Sequence, residues 1–165
     1  MIDLYNVDRS QEEQLQRVMI LSIIGSFSAD WYRSGDLGMK DEEGFVYVVD
    51  RLKDMIISGG ENIYPAELET VISRHPGVAE VAVVGISDGP WGEITRAYVV
   101  KQTGAEVQES DIVGMCRENL AKYKCVKEVI FLEALPRNAS GKILKGSLKS
   151  MRSRLTSTWA EQECK

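Results

Sequence analysis

From residue 55 onward, short apolar runs alternate with amphipathic stretches. Met55-Ile56-Ile57 reads as a brief strand that Gly59-Gly60 breaks. Pro65 then opens a helix. Proline at the first helical position sacrifices no hydrogen bond, and Glu67 favours the positive N-terminal end. Leu68, Val71 and Ile72 form its apolar stripe, and His75-Pro76-Gly77 stops it. Residues 78–86 form a long apolar strand, and 94–101 a second strand suited to pair with it. A helix over about 110–120 puts Ile112, Val113, Cys116 and Leu120 on one side. Residues 126–132 read as another strand, and a basic helix starts near Leu144. Upstream, 44–49 reads as a strand closing a hairpin through 40–44. Residues 10–24 read as an amphipathic helix with Leu15, Val18, Met19 and Ile23 on a shared face. The order strand–helix–strand–strand–helix–strand predicts an α+β fold, a small sheet covered on one face by helices. An N-terminal β-hairpin and an extra N-terminal helix precede it.

Composition narrows the class. The 165 residues suit one domain with an appendage, and 44% apolar residues is ordinary for a globular chain. A net charge of −5 argues against nucleic acid as the partner, because domains that bind it are usually strongly basic. Cys116, Cys125 and Cys164 show no C-x-x-C spacing, which speaks against a disulfide framework or a zinc site and for a reducing cytoplasm. The apolar run 18–24 is too short for a transmembrane segment, and it follows Glu12 and Glu13 where a signal peptide would be basic.

Two loops carry candidate chemistry. Pro136-Arg137-Asn138-Ala139-Ser140-Gly141-Lys142 places one lysine in a turn-rich segment after the strand ending near Leu132. A mobile loop with a compact cation on a long stem suits transient contact with an anionic substrate; a plain surface turn is the alternative. The other loop runs through 50–65 and includes Asp50-Arg51-Leu52-Lys53-Asp54 and Ser58-Gly59-Gly60-Glu61-Asn62-Ile63-Tyr64-Pro65. Arg51 has Asp50 and Asp54 as local ion-pair partners. Arg137, Lys142, Lys145, Lys149, Arg152 and Arg154 form a run without an acid, either a phosphate-facing stripe or a solvated helix face. His75, the single histidine, reads as a helix-end cap.

These segments, with Tyr32-Arg33-Ser34-Gly35-Asp36-Leu37, resemble in order three motifs of the C-terminal region of adenylate-forming enzymes, nearest to acyl-CoA synthetases and fatty-acid CoA ligases. The similarity runs from about Trp31 to about Ser150. It implies a division into an atypical segment 1–30, a hairpin region 31–50 that closes a large N-terminal domain, and a C-terminal lid domain 51–165.

The resemblance also implies roles. Asp36 and Arg51 would bind the nucleotide ribose, the carboxylate receiving two hydroxyl donors at once. Lys142 would be the catalytic cation of adenylation, and Lys53 the hinge about which the domain rotates between half-reactions. Gly59, Gly60 and Trp91 would line the tunnel for the CoA arm, where a Cβ would obstruct it. For Asp36 a turn cap, and for Trp91 a core or rim position, remain the alternatives. ATP or AMP and CoA are implied as substrates. Magnesium would come with ATP and be held mainly by an N-terminal adenylation domain, and no metal site is assigned in this sequence. The phosphate loop and acyl pocket of that domain do not occur in these residues, so the chain is expected not to catalyse adenylation alone. A non-catalytic interaction module is the competing reading. Apolar residues at Trp31, Tyr32 and Phe45, with the face carrying Leu15 and Val18, predict a homodimer.

Overall fold

The computed structural model describes residues 35–41 and 43–151, together with the backbone of strands at 18–20, 27–28 and 31–32. Chain order begins with β1 (Val18–Ile20), β2 (Phe27–Ser28) and β3 (Trp31–Tyr32), followed by β4 (Asp36–Lys40) and β5 (Val46–Arg51). β4 and β5 form the expected hairpin, turned by Gly44 at φ +96° and by Asp41, whose Oδ1 accepts the Phe45 N–H at 2.8 Å. The order in this sheet is β1-β4-β5.

β1 corrects the helix expected over 10–24. Its three residues pair antiparallel with Leu37, Gly38 and Met39, so the backbone is extended there. An unbroken apolar run carries neither period, and pairing with an available strand decides the matter. Residues 10–17 and 21–24 of that expected helix lie outside the described residues.

The main body follows. It comprises β6 (Ile56–Ser58), β7 (Glu61–Ile63), α1 (Pro65–Ile72), β8 (Val78–Asp88), β9 (Gly92–Lys101), α2 (Glu109–Asn119), β10 (Glu128–Leu132) and α3 (Lys145–Ser150). β8 and β9 pair antiparallel along their whole length, and β10 runs parallel to β9 after the α2 crossover. β6 touches β9 at Ser58↔Gly92 and carries β7 as its hairpin partner. This mixed sheet with three helices is the α+β class that the sequence predicts.

Period-two alternation sends side chains of β8 and β9 to opposite faces. Val83, Ala97 and Val99 join Ile56, Ile63, Leu68, Ile72, Ile112 and Cys116 under α1 and α2. Ala82, Val84 and Tyr98 pack instead with Leu135 and Leu148, so α3 and the segment before it cover the other face. Helices therefore lie on both faces, where the element order alone predicted one. Burial of each such aliphatic side chain is worth roughly 1.5–3 kcal/mol. Burial also holds the Cys116 thiol pKa above its usual value.

Candidate functional site

The site residues fall into three groups, each placed by a different device. The first is the Asp36–Arg51 pair. Asp36 begins β4 and Arg51 ends β5, and the two are cross-strand neighbours. The Arg51 Nε lies 3.1 Å from Asp36 Oδ1, with both side chains partly exposed. The partner of Arg51 is thus the distant Asp36 and neither sequence neighbour. That holds for the guanidinium; the Asp50 carboxylate takes backbone N–H donors instead. Its Oδ1 accepts the Arg51 N–H at 2.7 Å and its Oδ2 the Ala66 N–H at 2.9 Å, capping the start of α1. Arg33 and Ser34 of the same motif lie outside the described residues.

Between Arg51 and β6 the chain makes a single 3-10 turn, Leu52–Asp54, with Lys53 exposed on it. The Met55 N–H closes the turn on the Arg51 carbonyl at 3.2 Å. One such turn holds few bonds, so its backbone angles are lightly constrained. The Asp50–Ala66 hydrogen bond spans it.

The second group is built on backbone freedom. Gly59 and Gly60 form the two-residue turn between β6 and β7, at φ +59° and +88°, a combination that disfavours a side chain at both positions. The Gly59 N–H donates to the Trp91 carbonyl at 2.9 Å. A Cβ on Gly59 would stand only 3.0 Å from the Trp91 ring. Trp91 is 55% exposed, so its indole is a surface plane beside the glycine turn and not part of the core. The Lys127 ammonium lies 5.9 Å from the ring centroid, within reach of a cation–π contact.

The third group is the lysine segment. Where the sequence suggests a mobile loop, the structure shows a tied hairpin. The Asn138 Oδ1 accepts the Ser140 N–H at 3.1 Å, the Ser140 hydroxyl at 2.8 Å and the Lys142 N–H at 2.8 Å. The Asn138 N–H returns to the Lys142 carbonyl at 2.9 Å, and Arg137 bridges to Ile143. Gly141 takes φ +83° to close the turn. Asparagine does this because its amide oxygen can serve several local donors at once. Lys142 itself is exposed, and no carboxylate pairs with it among the described residues.

The other described cations of the basic run do have partners. Arg137 reaches Glu80 at 2.9 Å, Lys145 reaches Glu69 at 2.7 Å, and Lys149 stands 4.0 Å from Glu93. These acids come from α1, β8 and β9, out of view of any local reading. Arg152 and Arg154 lie outside the described residues. His75 is the cap expected of it, its Nδ1 accepting the Gly77 N–H at 3.1 Å.

The groups do not converge. Glu80, which holds Arg137 and the base of the hairpin, is near the start of β8, whereas Trp91 follows the end of that strand. At about 3.3 Å per residue, the stretch from Glu80 to Asp88 is about 26 Å long. The lysine hairpin and the glycine–tryptophan turn therefore stand at opposite ends of the β8–β9 ladder.

Comparison with known proteins gives the family. Residues 67–142 match the family model of the AMP-binding enzyme C-terminal domain. The chain belongs to that family. It is 57% identical over 124 residues to the long-chain-fatty-acid–CoA ligase FadD13 of Mycobacterium tuberculosis, a match covering 75% of this chain and 24% of the relative. Among solved structures it resembles the o-succinylbenzoate CoA synthetase (MenE) of Bacillus subtilis in complex with the acyl-adenylate intermediate OSB-AMP. The TM-score is 0.72 at 50% identity, covering 77% of this chain and 26% of that one. The same enzyme with ATP and magnesium ion gives a TM-score of 0.69 at 49% identity, covering 75% and 25%. The chain thus spans about a quarter of the length of these relatives. It is a C-terminal domain of the adenylate-forming acyl- and aryl-CoA ligases. Among the described residues, no helix is long and apolar enough to cross a membrane.

Sequence reading missed a second set of residues that fix the site. Arg96, although buried, pairs with Glu128 and donates to the Met151 carbonyl at 3.3 Å. Burial opposes its charge, but the Tyr98 hydroxyl and the Glu128 carboxylate outweigh that and hold its pKa above the usual value. The Tyr98 hydroxyl donates to the Leu148 carbonyl at 2.8 Å. Together they clamp the C-terminal end of α3, where the Leu148 carbonyl also accepts the Met151 N–H at 3.2 Å. An apolar strand offers no local sign of this, except that one arginine interrupts it.

Proposed function

We propose that this domain serves an ATP-dependent acid–thiol ligase by presenting its two ends in turn to one reaction centre. The separation of Lys142 from the Gly59–Trp91 turn along the β8–β9 ladder carries this reading. No single pose brings both ends to the same atoms, so a cycle with two half-reactions suits the geometry. In the first, a substrate carboxylate attacks the α-phosphorus of ATP and pyrophosphate leaves. Lys142 balances the negative charge that accumulates there, and its exposed ammonium is free of carboxylate partners among the described residues. In the second, a CoA thiol attacks the acyl-adenylate carbonyl and AMP leaves. The side-chain-free turn at Gly59 and Gly60, walled by Trp91, admits the pantetheine arm.

Asp36 and Arg51 hold the ribose, and Lys53 is the pivot. Residues 31–50 then belong with the adenylation domain, 51–165 form the lid, and the role of 1–30 is open to assignment. Magnesium would come with ATP and be held mainly by the adenylation domain, where it would neutralise phosphate charge; among the described residues no acidic cluster of three or more possible ligands occurs. Cys116 and Cys125 are both buried, and the free Cys116 thiol suits a reducing cytoplasm.

The full chain should give no acid-dependent pyrophosphate release by itself and should restore it to a separately produced adenylation domain. Turnover by the chain alone would overturn this division of labour. One observation favours a second reading, an interaction module that dimerises. Phe45, just before β5, and Val46, Tyr47 and Val48 on it are each at least half exposed, and β5 is an outer strand of its sheet among the described residues. Light scattering of the full chain at micromolar concentration showing only monomer would remove that reading.

A further inference from the structure

Glu69 lies on α1, far in sequence from the lysine hairpin, yet three elements meet at its carboxylate. Its Oε1 accepts the Val83 N–H of β8 at 2.8 Å and lies 2.7 Å from the Lys145 ammonium. Both side chains of the pair are mostly shielded, at 20% and 24% exposure, which lifts it above an ordinary surface contact. β9 is the one strand paired with β8 among the described residues, so the outer rim of β8 carries backbone donors that need partners. Glu69 closes one of them and reaches a helix that packs on the opposite face of the sheet.

Lys145 is the first residue of α3 and follows Lys142 by one short step of chain. The far end of α3 is held by Tyr98 and Arg96, and the other strand of the hairpin is held by the Arg137–Glu80 pair. Backbone ties at Ile143, bridged to Arg137, and at Leu144, whose N–H donates to the Pro136 carbonyl at 2.8 Å, stay within the hairpin, so the Glu69–Lys145 contact is the first side-chain tie after Lys142 that reaches another element.

We infer that Glu69, acting through Lys145, is a positioning residue for Lys142. It touches no reacting atom. It fixes where α3 begins, and so the height at which the hairpin presents its ammonium. The inference rests on the reading of Lys142 as the adenylation cation. A lysine stem is long and rotamer-rich, so its usefulness to a developing charge depends on a fixed base.

Glu69→Gln keeps an amide oxygen for the Val83 N–H and removes the charge. Lys145→Met removes the other partner at similar length, and Lys145→Arg retains the cation. With the full chain and a separately produced adenylation domain, Glu69→Gln and Lys145→Met should each lower the kcat of pyrophosphate release roughly tenfold to a hundredfold, leaving thioester formation from preformed acyl-adenylate within about twofold. The double variant should fall no further than either single one, since both remove one contact, and Lys145→Arg should retain activity. Amide exchange on the full chain alone should quicken at 138–142 in both variants while the Tm is kept. Unchanged pyrophosphate release, equal loss in both half-reactions, or unchanged exchange at 138–142 would each overturn the inference. Lys142→Ala run in parallel separates the two readings. If it too leaves pyrophosphate release intact, the role of Lys142 is wrong; if it alone abolishes release, only the positioning role of Glu69 falls.

Discussion

The two ends of the β8–β9 ladder are built by opposite means. At one end, Gly59 and Gly60 make a turn that owes its shape to the absence of side chains, and Trp91 lies against it. At the other, the Lys142 hairpin has its own backbone bonds and a glycine turn at Gly141, and side chains brace it further. Asn138 gathers three donors, Arg137 reaches Glu80, and Lys145 reaches Glu69. A passage for a long flexible thiol arm needs room, which local backbone chemistry supplies. Under the proposed function, a cation that meets a developing charge needs a fixed base, which Asn138 supplies locally and Glu80 and Glu69 supply from distant parts of the chain. The same small sheet thus carries an open end and a braced end, and the 3-10 turn at Lys53 is the segment through which they would be exchanged.

The sharpest way to break this comparison is Lys142→Ala. With an adenylation domain supplied, it should lower acid-dependent pyrophosphate release by about 10²–10³, as removal of one preorganised charge donor does, and spare thioester formation from preformed acyl-adenylate. Equal loss in both steps would mean that the two ends are not separate in function.

Lys53→Pro tests the exchange itself. Proline fixes φ and removes an N–H in a turn that must change shape, so thioester formation should fall roughly tenfold or more while adenylation persists. Full thioester activity in rapid-quench assays would exclude Lys53 as the pivot.

Gly59→Val probes the open end. A β-branched residue at φ +59°, with its Cβ 3.0 Å from the Trp91 ring, should cost about 1–3 kcal/mol of stability and shift the indole. Urea unfolding should register the cost, and a red or blue shift in tryptophan fluorescence the displacement. Thioester formation should suffer more than adenylation, the reverse of the Lys142→Ala pattern.

Asn138→Ala is the mildest. It removes the acceptor of three hydrogen bonds in an exposed hairpin, so stability should drop by about 1 kcal/mol. Faster amide exchange at Ser140 and Lys142 should accompany it. A hairpin that keeps its protection without Asn138 would show that the ion pairs to Glu80 and Glu69 suffice to brace it.

Much of this molecule was legible in its sequence. Pro65, the apolar stripe Leu68–Val71–Ile72 and the stop at His75-Pro76-Gly77 mark α1 by local rules, and the structure places the helix at Pro65–Ile72. The long runs that became β8 and β9 and the periodic face of α2 were equally plain. Gly59-Gly60 was read as a break, but not as the turn of a hairpin, because Glu61-Asn62-Ile63 is too short and polar to announce β7. The strand at Val18–Ile20 was missed because three consecutive apolar residues fit a helix or a strand equally well. Lys142, Lys53, Asp36, Arg51, Gly59, Gly60 and Trp91 entered as candidates through the resemblance of the motifs to the family, and their roles are proposals.

What tertiary structure alone decided was the company these residues keep. Arg51 had two acids beside it in sequence and pairs with Asp36, because strand pairing brings that carboxylate across the ladder. The basic run looked like one charged face, yet its described members other than Lys142 each meet an acid from another element. Sequence determined the elements and the chemistry available, since propensity, capping and turn formation act over a few residues. Which charges cancel, which one stays exposed and how far apart the two ends stand depend on contacts between residues distant along the chain. Those distances exist only once β8, β9 and the helices on both faces have packed.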